Sequence, residues 1–138
     1  MISAEEYELF KWDVLAAAAT EGLQMLYEPV GWARWQFPAL PDEERAALAE
    51  RVLRELLAEG LIAFERAGRP MSPTEVEGAI AGDDWRVVPL GPEGAVVEFF
   101  ATEAGQGRYH AAPEHIIGAW NARARDTPSR ARERTRPS

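Results

Sequence analysis

The sequence predicts an α+β fold that is mainly helical, with a small β-hairpin or sheet and a C-terminal helix. Three observations support this: apolar residues at helical spacing in several segments, capping boxes at Ser3 and Ser72, and two short segments rich in Ile, Val and Phe. The 138 residues suffice for one hydrophobic core and not for two. We therefore predict a single domain over residues 1–120, followed by an Arg-rich flexible tail over residues 121–138.

The amino-terminal third is predicted to hold two helices. Ser3 and Glu6 form the Ser-x-x-Glu pattern of a capping box, and the apolar residues that follow it predict a helix over about residues 4–19. Residues 23–27 are compatible with a brief strand or with a helical turn. Pro29 suits the first turn of a second, short helix that extends to about Gln36.

The longest helix is predicted over about residues 42–59. Acidic residues follow Pro41, where the positive end of the helix dipole stabilises them, and leucines then recur on one face. Glu50 and Arg54 are spaced to pair across the exposed side, and Gly60 suits the left-handed position after the last turn.

The remainder is predicted to alternate strands with short helices. Pro70 and its neighbours should end the first strand, Ser72 should cap a helix, and Thr102 should cap another. The predicted strands are 61–66, 95–101 and an extended segment at 85–90, a turn lies at 91–94, and the helices are 73–81, 103–110 and a last one beginning at Pro113.

Charge is divided unevenly along the chain. Residues 1–120 hold 21 acidic and nine basic residues, a net charge of −12, whereas residues 121–138 hold six Arg and two acids, a net charge of +4. An acidic body repels nucleic acid. Acidic Glu5, Glu6 and Glu8 argue against a signal peptide, and no apolar run is long enough for a membrane span, so we predict a soluble cytoplasmic protein.

Three segments carry a resemblance to a known fold. The helix ending "LRELLAEGLIAFER" (53–66) and the strand and helix start "VVEFFATEAGQGRY" (96–109) resemble those of winged helix-turn-helix regulators. The segment "SPTEVEGAIAGDDW" (72–85) resembles small uncharacterised bacterial proteins with a helix inserted in the wing. The resemblance implies that residues 42–59 form the recognition helix, yet this helix carries a net charge of −3 and no Asn, Gln or Lys.

The sequence offers no catalytic, cofactor-binding or metal-binding set. Cysteine is absent, which excludes thiol catalysis and Cys-ligated metals. The histidines, His110 and His115, are five residues apart across Pro113 and do not have the spacing of a helical zinc pair. The adjacent acids 43–44 and 83–84 are better explained by a helix start and a turn than by acid–base chemistry. We therefore predict a protein that is not an enzyme.

The composition instead favours a protein-binding module that recognises a basic partner, such as an immunity-type inhibitor or an adaptor. Its candidate surface combines acids of the long helix with two tryptophans of the preceding helix. These two tryptophans are suited either to the core or to an interface. The candidate residues are Glu43, Glu44, Glu50, Trp32 and Trp35. The other three tryptophans, Trp12, Trp85 and Trp120, are predicted to pack in or beside the core.

The alternative is a DNA-binding transcriptional regulator that uses arginines of the wing and of the tail. Its candidate residues are Arg66, Arg69, Arg86, Arg130, Arg132 and Arg134. The basic tail also has the charge to dock on the acidic helix and compete with a basic partner. The sequence favours protein binding because the body is acidic.

Overall fold

A computed structural model of the chain describes residues 2–82 and 96–126. These residues form a mainly helical α+β fold with a small antiparallel sheet, which confirms the predicted fold class. The helices are α1 (Ala4–Glu21), α2 (Glu28–Gln36), α3 (Asp42–Ala58), α4 (Pro73–Ala81), α5 (Glu103–His110) and α6 (Glu114–Asp126). The strands are β1 (Gln24–Met25), β2 (Ile62–Arg66), β3 (Arg69–Pro70) and β4 (Val97–Ala101).

The sheet has the strand order β1-β4-β2-β3. Phe64 of β2 lies opposite Phe99 of β4, and Gln24 of β1 lies opposite Phe99 on the other side. Side chains alternate between the two faces of a strand, so Ile62, Phe64, Val97 and Phe99 share the inner face and are buried. The inner face of the sheet therefore forms one wall of the hydrophobic core.

The helices α1 and α3 supply most of the rest of the core. Phe10 and Val14 of α1 and Val52 and Leu53 of α3 are fully buried. Phe37, which follows α2, packs edge-on against Phe10 with ring centroids 5.7 Å apart. This contact holds the end of α2 against α1.

Both predicted capping boxes are confirmed. The Ser3 hydroxyl accepts from the Glu6 amide at 3.1 Å, and the Glu6 carboxylate accepts from the Ser3 amide at 3.1 Å. Ser72 and Glu75 form the same pair of bonds at the start of α4. Each box satisfies two backbone amides, and a helix therefore begins at each of these points.

The segment 67–70, predicted only to end a strand, forms a tight hairpin instead. Ala67 and Gly68 have φ values of 53° and 74°, and Arg69 lies directly opposite Arg66. Two central residues with positive φ match the twist of the flanking strands, which is why so short a turn can close a hairpin. The strand option for residues 23–27 is also realised, as β1 pairs with β4.

Two helices run further than predicted. Helix α1 continues to Glu21 and ends at Gly22, which has a φ of 86°. Helix α6 continues to Asp126, so residues 121–126 are helical rather than part of the predicted tail. Alanine and arginine in this segment favour helix. The predicted strand 85–90, the turn 91–94 and residues 127–138 lie outside the described residues.

Within residues 2–82 and 96–126, none of the helices combines the length and the hydrophobicity that a membrane span requires.

Candidate protein-binding surface

The last turn of α2 and the first turn of α3 lie side by side. Arg34 Nε is 3.7 Å from Asp42 Oδ1, and this ion pair joins the two turns across the intervening loop. Arg45 also pairs with Asp42 and donates weakly to the carbonyl oxygen of Phe37 at 3.4 Å. The Arg34–Asp42 pair therefore joins α2 to α3, and Arg45 holds the start of the intervening loop against α3.

Two acids of the first turn of α3 are left without a counter-charge. Glu43 and Glu44 are exposed, and neither side chain forms a hydrogen bond or an ion pair with a described residue. Asp42, by contrast, is held by Arg34 and Arg45. The structure thus places the predicted residues Glu43 and Glu44 together on an open surface.

Every arginine of α3 is paired with an acid. Beyond Arg45, Arg51 pairs with Glu55 at 3.4 Å, and Arg54 pairs with Glu50 at 3.5 Å and with Glu77 of α4 at 2.6 Å. The hydrogen bond from Arg54 holds the pKa of Glu77 below its usual value. The cations of α3 are therefore neutralised within the fold and do not offset Glu43 and Glu44.

Glu50, the third candidate acid, differs from Glu43 and Glu44 in its surroundings. Its side chain is only partly exposed, and its carboxylate pairs with Arg54 one turn further along α3. The same spacing had predicted this pair, and an acid that is occupied in this way offers a partner less charge than Glu43 or Glu44. Glu50 is thus placed in an internal charge network rather than beside the two open acids.

An apolar groove borders Glu44. It has a volume of about 240 Å³, and its apolar lining consists of Ile2, Leu40, Ala47 and Leu48. Sequence reasoning missed this groove. Ile2 and Leu40 each directly precede the capping residue of a helix, a position at which apolar residues often pack on the first turns, and that signal was present in the sequence.

The other border of the groove is Arg51, which is held by a polar cluster between α1 and α3. The Arg51 guanidinium lies over the Tyr7 ring, 4.2 Å from its centroid. The Tyr7 hydroxyl donates to Glu55 Oε2 at 2.5 Å, and Lys11 pairs with Glu55 and Glu59. The bond from Tyr7 lowers the pKa of Glu55, and burial together with Glu55 raises the pKa of Tyr7.

The two candidate tryptophans differ in their surroundings. Trp32 is partly buried and packs against the core, whereas Trp35 is 44% exposed in the last turn of α2. Trp35 is therefore the more exposed of the two candidate aromatic side chains of α2. Trp12 and Trp120 are both partly buried, Trp12 packing against the core, and Trp85 lies outside the described residues.

The arginines of the alternative prediction are only partly described. Arg66 and Arg69 are exposed and lie opposite each other across the β2–β3 hairpin. Neither forms an ion pair with a described residue. Arg86, Arg130, Arg132 and Arg134 lie outside the described part of the chain.

His110 and His115 are both exposed. Across the described ranges, 2–82 and 96–126, the structure contains no cluster of three His, Asp or Glu residues arranged to hold a metal ion. Elsewhere, on α2 and α3, Glu43, Glu44 and Trp35 are exposed, and the apolar groove lies beside Glu44.

Comparison of the chain with models of known protein families, with curated proteins and with solved structures gives no match.

Proposed function

We propose that this protein is a non-enzymatic protein-binding module on a winged-helix-like scaffold, and that it binds a basic partner. The observation that carries the proposal is the unequal pairing of charges on α3, where the arginines are neutralised while Glu43 and Glu44 stay open. Complementary charge speeds association and disfavours wrong partners. An inhibitor of the immunity type and an adaptor are both roles that such a surface suits.

The order of the elements supports the proposed scaffold. Helix α3 leads directly into β2, and β4 lies between β1 and β2 in the sheet. Helix α4 lies in the chain between β2 and β4, and the resemblance of residues 72–85 implies a helix inserted there, within the wing. On this scaffold α3 occupies the place of a recognition helix, and its acidic first turn suits a cationic protein surface better than phosphate.

The groove beside Glu44 gives the surface an apolar component. Large apolar or long aliphatic side chains of a partner can enter it, and a lysine or arginine stem would bring its charge to Glu44. Trp35 adds an exposed aromatic ring on the neighbouring helix, and aromatic side chains are frequent anchors in interfaces. We therefore propose that Glu43, Glu44, Trp35 and the groove act as one contact surface.

Charge neutralisation tests the acidic component. The full-length protein and a Glu43→Gln/Glu44→Gln variant are compared as baits in cell extract, and captured proteins are then purified and titrated by calorimetry. Glu103→Gln/Glu114→Gln is the matched control, since these exposed acids occupy the first turns of α5 and α6. We expect a basic partner whose affinity falls at least tenfold in the first variant only. Equal affinity in both variants would contradict the proposal.

Filling the groove tests the apolar component. Ala47→Phe places a ring in the groove, whereas Ala58→Phe adds the same ring at an exposed position near the carboxyl end of α3. We expect the first variant to weaken the same interaction and the second to leave it unchanged. If the partner binds both variants as tightly as it binds the parent protein, the groove is not part of the proposed contact surface.

DNA binding is the second candidate function, and the placement of Arg66 and Arg69 favours it. Two exposed arginines at the tip of a hairpin repel each other, and phosphate groups would relieve that repulsion. Fluorescence anisotropy with labelled duplex DNA at about 50 mM salt provides the test, because low salt favours phosphate contacts. Binding that is lost in Arg66→Gln/Arg69→Gln would support the regulator, and no binding by the parent protein would reject it.

A further inference from the structure

A second groove lies on the opposite end of α3, away from the acidic first turn. It has a volume of about 220 Å³ and is formed between α1, the carboxyl end of α3, α5 and the start of α6. Its apolar lining includes the core residues Leu15, Leu56 and Leu61, together with Trp12 and Ile116. The Trp12 ring stacks on Tyr109 with centroids 5.3 Å apart, which holds one wall of the groove in place.

Five charged or titratable side chains also line this groove: Glu8, Lys11, Glu59, Arg108 and His115. Lys11 and Glu59 form an ion pair with each other, and Lys11 also pairs with Glu55 at 3.4 Å. Their charges are therefore compensated inside the protein. His115 is exposed and lies on the first turn of α6.

Glu8 and Arg108 have no such compensation. Both are exposed, they do not pair with each other, and neither forms an ion pair or a side-chain hydrogen bond with another described residue. The groove thus presents one open carboxylate and one open guanidinium beside apolar lining residues. This combination matches the three parts of an apolar amino acid: a carboxylate, an ammonium group and a hydrophobic side chain.

We propose that this groove binds a free amino acid with a large apolar side chain, such as phenylalanine. Arg108 holds the carboxylate through its planar pair of N–H donors, Glu8 accepts from the ammonium group, and the apolar side chain lies against Trp12 and Ile116. A ligand with a single charge would leave either Glu8 or Arg108 uncompensated in the occupied groove. The zwitterion is therefore preferred over the corresponding acid or amine.

Three related compounds test this preference: L-phenylalanine, 3-phenylpropionate, which lacks the ammonium group, and 2-phenylethylamine, which lacks the carboxylate. Binding to the full-length protein is measured by calorimetry and by amide NMR shifts at Trp12, Arg108 and Ile116. We expect saturable binding of L-phenylalanine, with each single-charge compound bound about tenfold more weakly. Equal affinity for all three compounds, or no saturable shift at these amides at millimolar concentration, would overturn the proposal.

Two variants test which charged group of the ligand is bound by Arg108 and which by Glu8. Arg108→Gln should weaken L-phenylalanine and 3-phenylpropionate about tenfold and leave 2-phenylethylamine unchanged, and Glu8→Gln should weaken L-phenylalanine and the amine but not the acid. Both residues are exposed, so circular dichroism should show an unchanged fold. Arg66→Gln and Glu103→Gln, exposed residues outside the groove, are the matched controls. Unchanged L-phenylalanine affinity in either groove variant would overturn the proposed contacts.

Discussion

The indole nitrogen of Trp120 donates a hydrogen bond of 2.6 Å to Oδ1 of Asp13, a residue that is only 1% exposed. Gln36 Nε2 donates to the other oxygen, Oδ2, at 2.5 Å. One buried carboxylate thus joins α1 to both α2 and α6. A buried acid needs such donors, because an unsatisfied one costs far more than a single hydrogen bond contributes.

Removing the indole donor should destabilise the fold. In Trp120→Phe an aromatic ring of smaller size remains, but Oδ1 of Asp13 loses the indole donor, so we expect the free energy of unfolding to fall by about 1–3 kcal/mol. Urea denaturation measures the difference. Asn121→Ala, at an exposed neighbouring position of α6, should change stability by no more than about 0.5 kcal/mol. Equal effects of the two substitutions would mean that the bond contributes little.

Gly105 should tolerate no side chain. A Cβ at this position would lie 2.0 Å from the carbonyl oxygen of Leu61, which is held by the Thr102 amide at 3.0 Å. Backbone must shift to relieve this clash, so Gly105→Ala should lower the free energy of unfolding by roughly 2–3 kcal/mol.

Gly107 on the same helix is the matched control for Gly105. An added Cβ there meets nothing within 4 Å, so Gly107→Ala should raise stability by about 0.5–1 kcal/mol through reduced entropy of the unfolded chain. Thermal unfolding of the two variants gives the comparison. If both substitutions changed the stability in the same direction, the close approach of Gly105 to Leu61 would not determine the effect of a side chain at that position.

The Tyr7–Glu55 bond predicts a pH dependence of stability. Glu55 has a pKa below its ordinary value of 4.5 in the folded protein, so its contribution is present above that pH and is lost as the pH falls through the folded pKa. Tyr7→Phe should therefore cost about 1 kcal/mol near neutral pH, a figure reduced for solvent screening, and less in acid. Chemical denaturation from neutral to acidic pH measures this trend.

Tyr109→Phe is the control for that series. The Tyr109 ring stacks on Trp12, and its hydroxyl forms no bond to a described residue, so the effect of its removal should not follow the titration of Glu55. The free energies of unfolding of Tyr7→Phe and the parent protein are compared at each pH. If their difference stayed constant as the pH fell, this would argue against a bond from Tyr7 to the ionised carboxylate of Glu55.

The β2–β3 hairpin should be stabilised by a better turn residue. Ala67 adopts a φ of 53°, a left-handed conformation that asparagine tolerates better than alanine. Asn-Gly is also a favoured pair in two-residue hairpins, so Ala67→Asn should raise stability by about 0.5 kcal/mol. Gly68→Ala, at a φ of 74°, should instead lower it by about 1 kcal/mol. Thermal unfolding measures the stability of both variants. A lower stability of Ala67→Asn than of the parent protein would show that the left-handed conformation of Ala67 is not strained.

The sequence alone determined the features that depend on neighbouring residues. The starts of α1 and α4 were predictable because each capping box joins residues three positions apart. The extent of α3 followed from its repeated apolar face and from Gly60, whose φ of 73° matches the predicted left-handed ending. The acidity of the first turn of α3 was likewise readable from adjacent residues.

Only the tertiary structure decided which groups meet across the chain. Asp13 lies 107 residues from Trp120, and no local pattern indicates that the two will bond. In the same way, the open state of Glu43 and Glu44 depends on Arg51 and Arg54 finding other acids, and both grooves depend on how the helices pack. Such contacts arise from burial of the shared core, which brings distant segments together and sets their final neighbours.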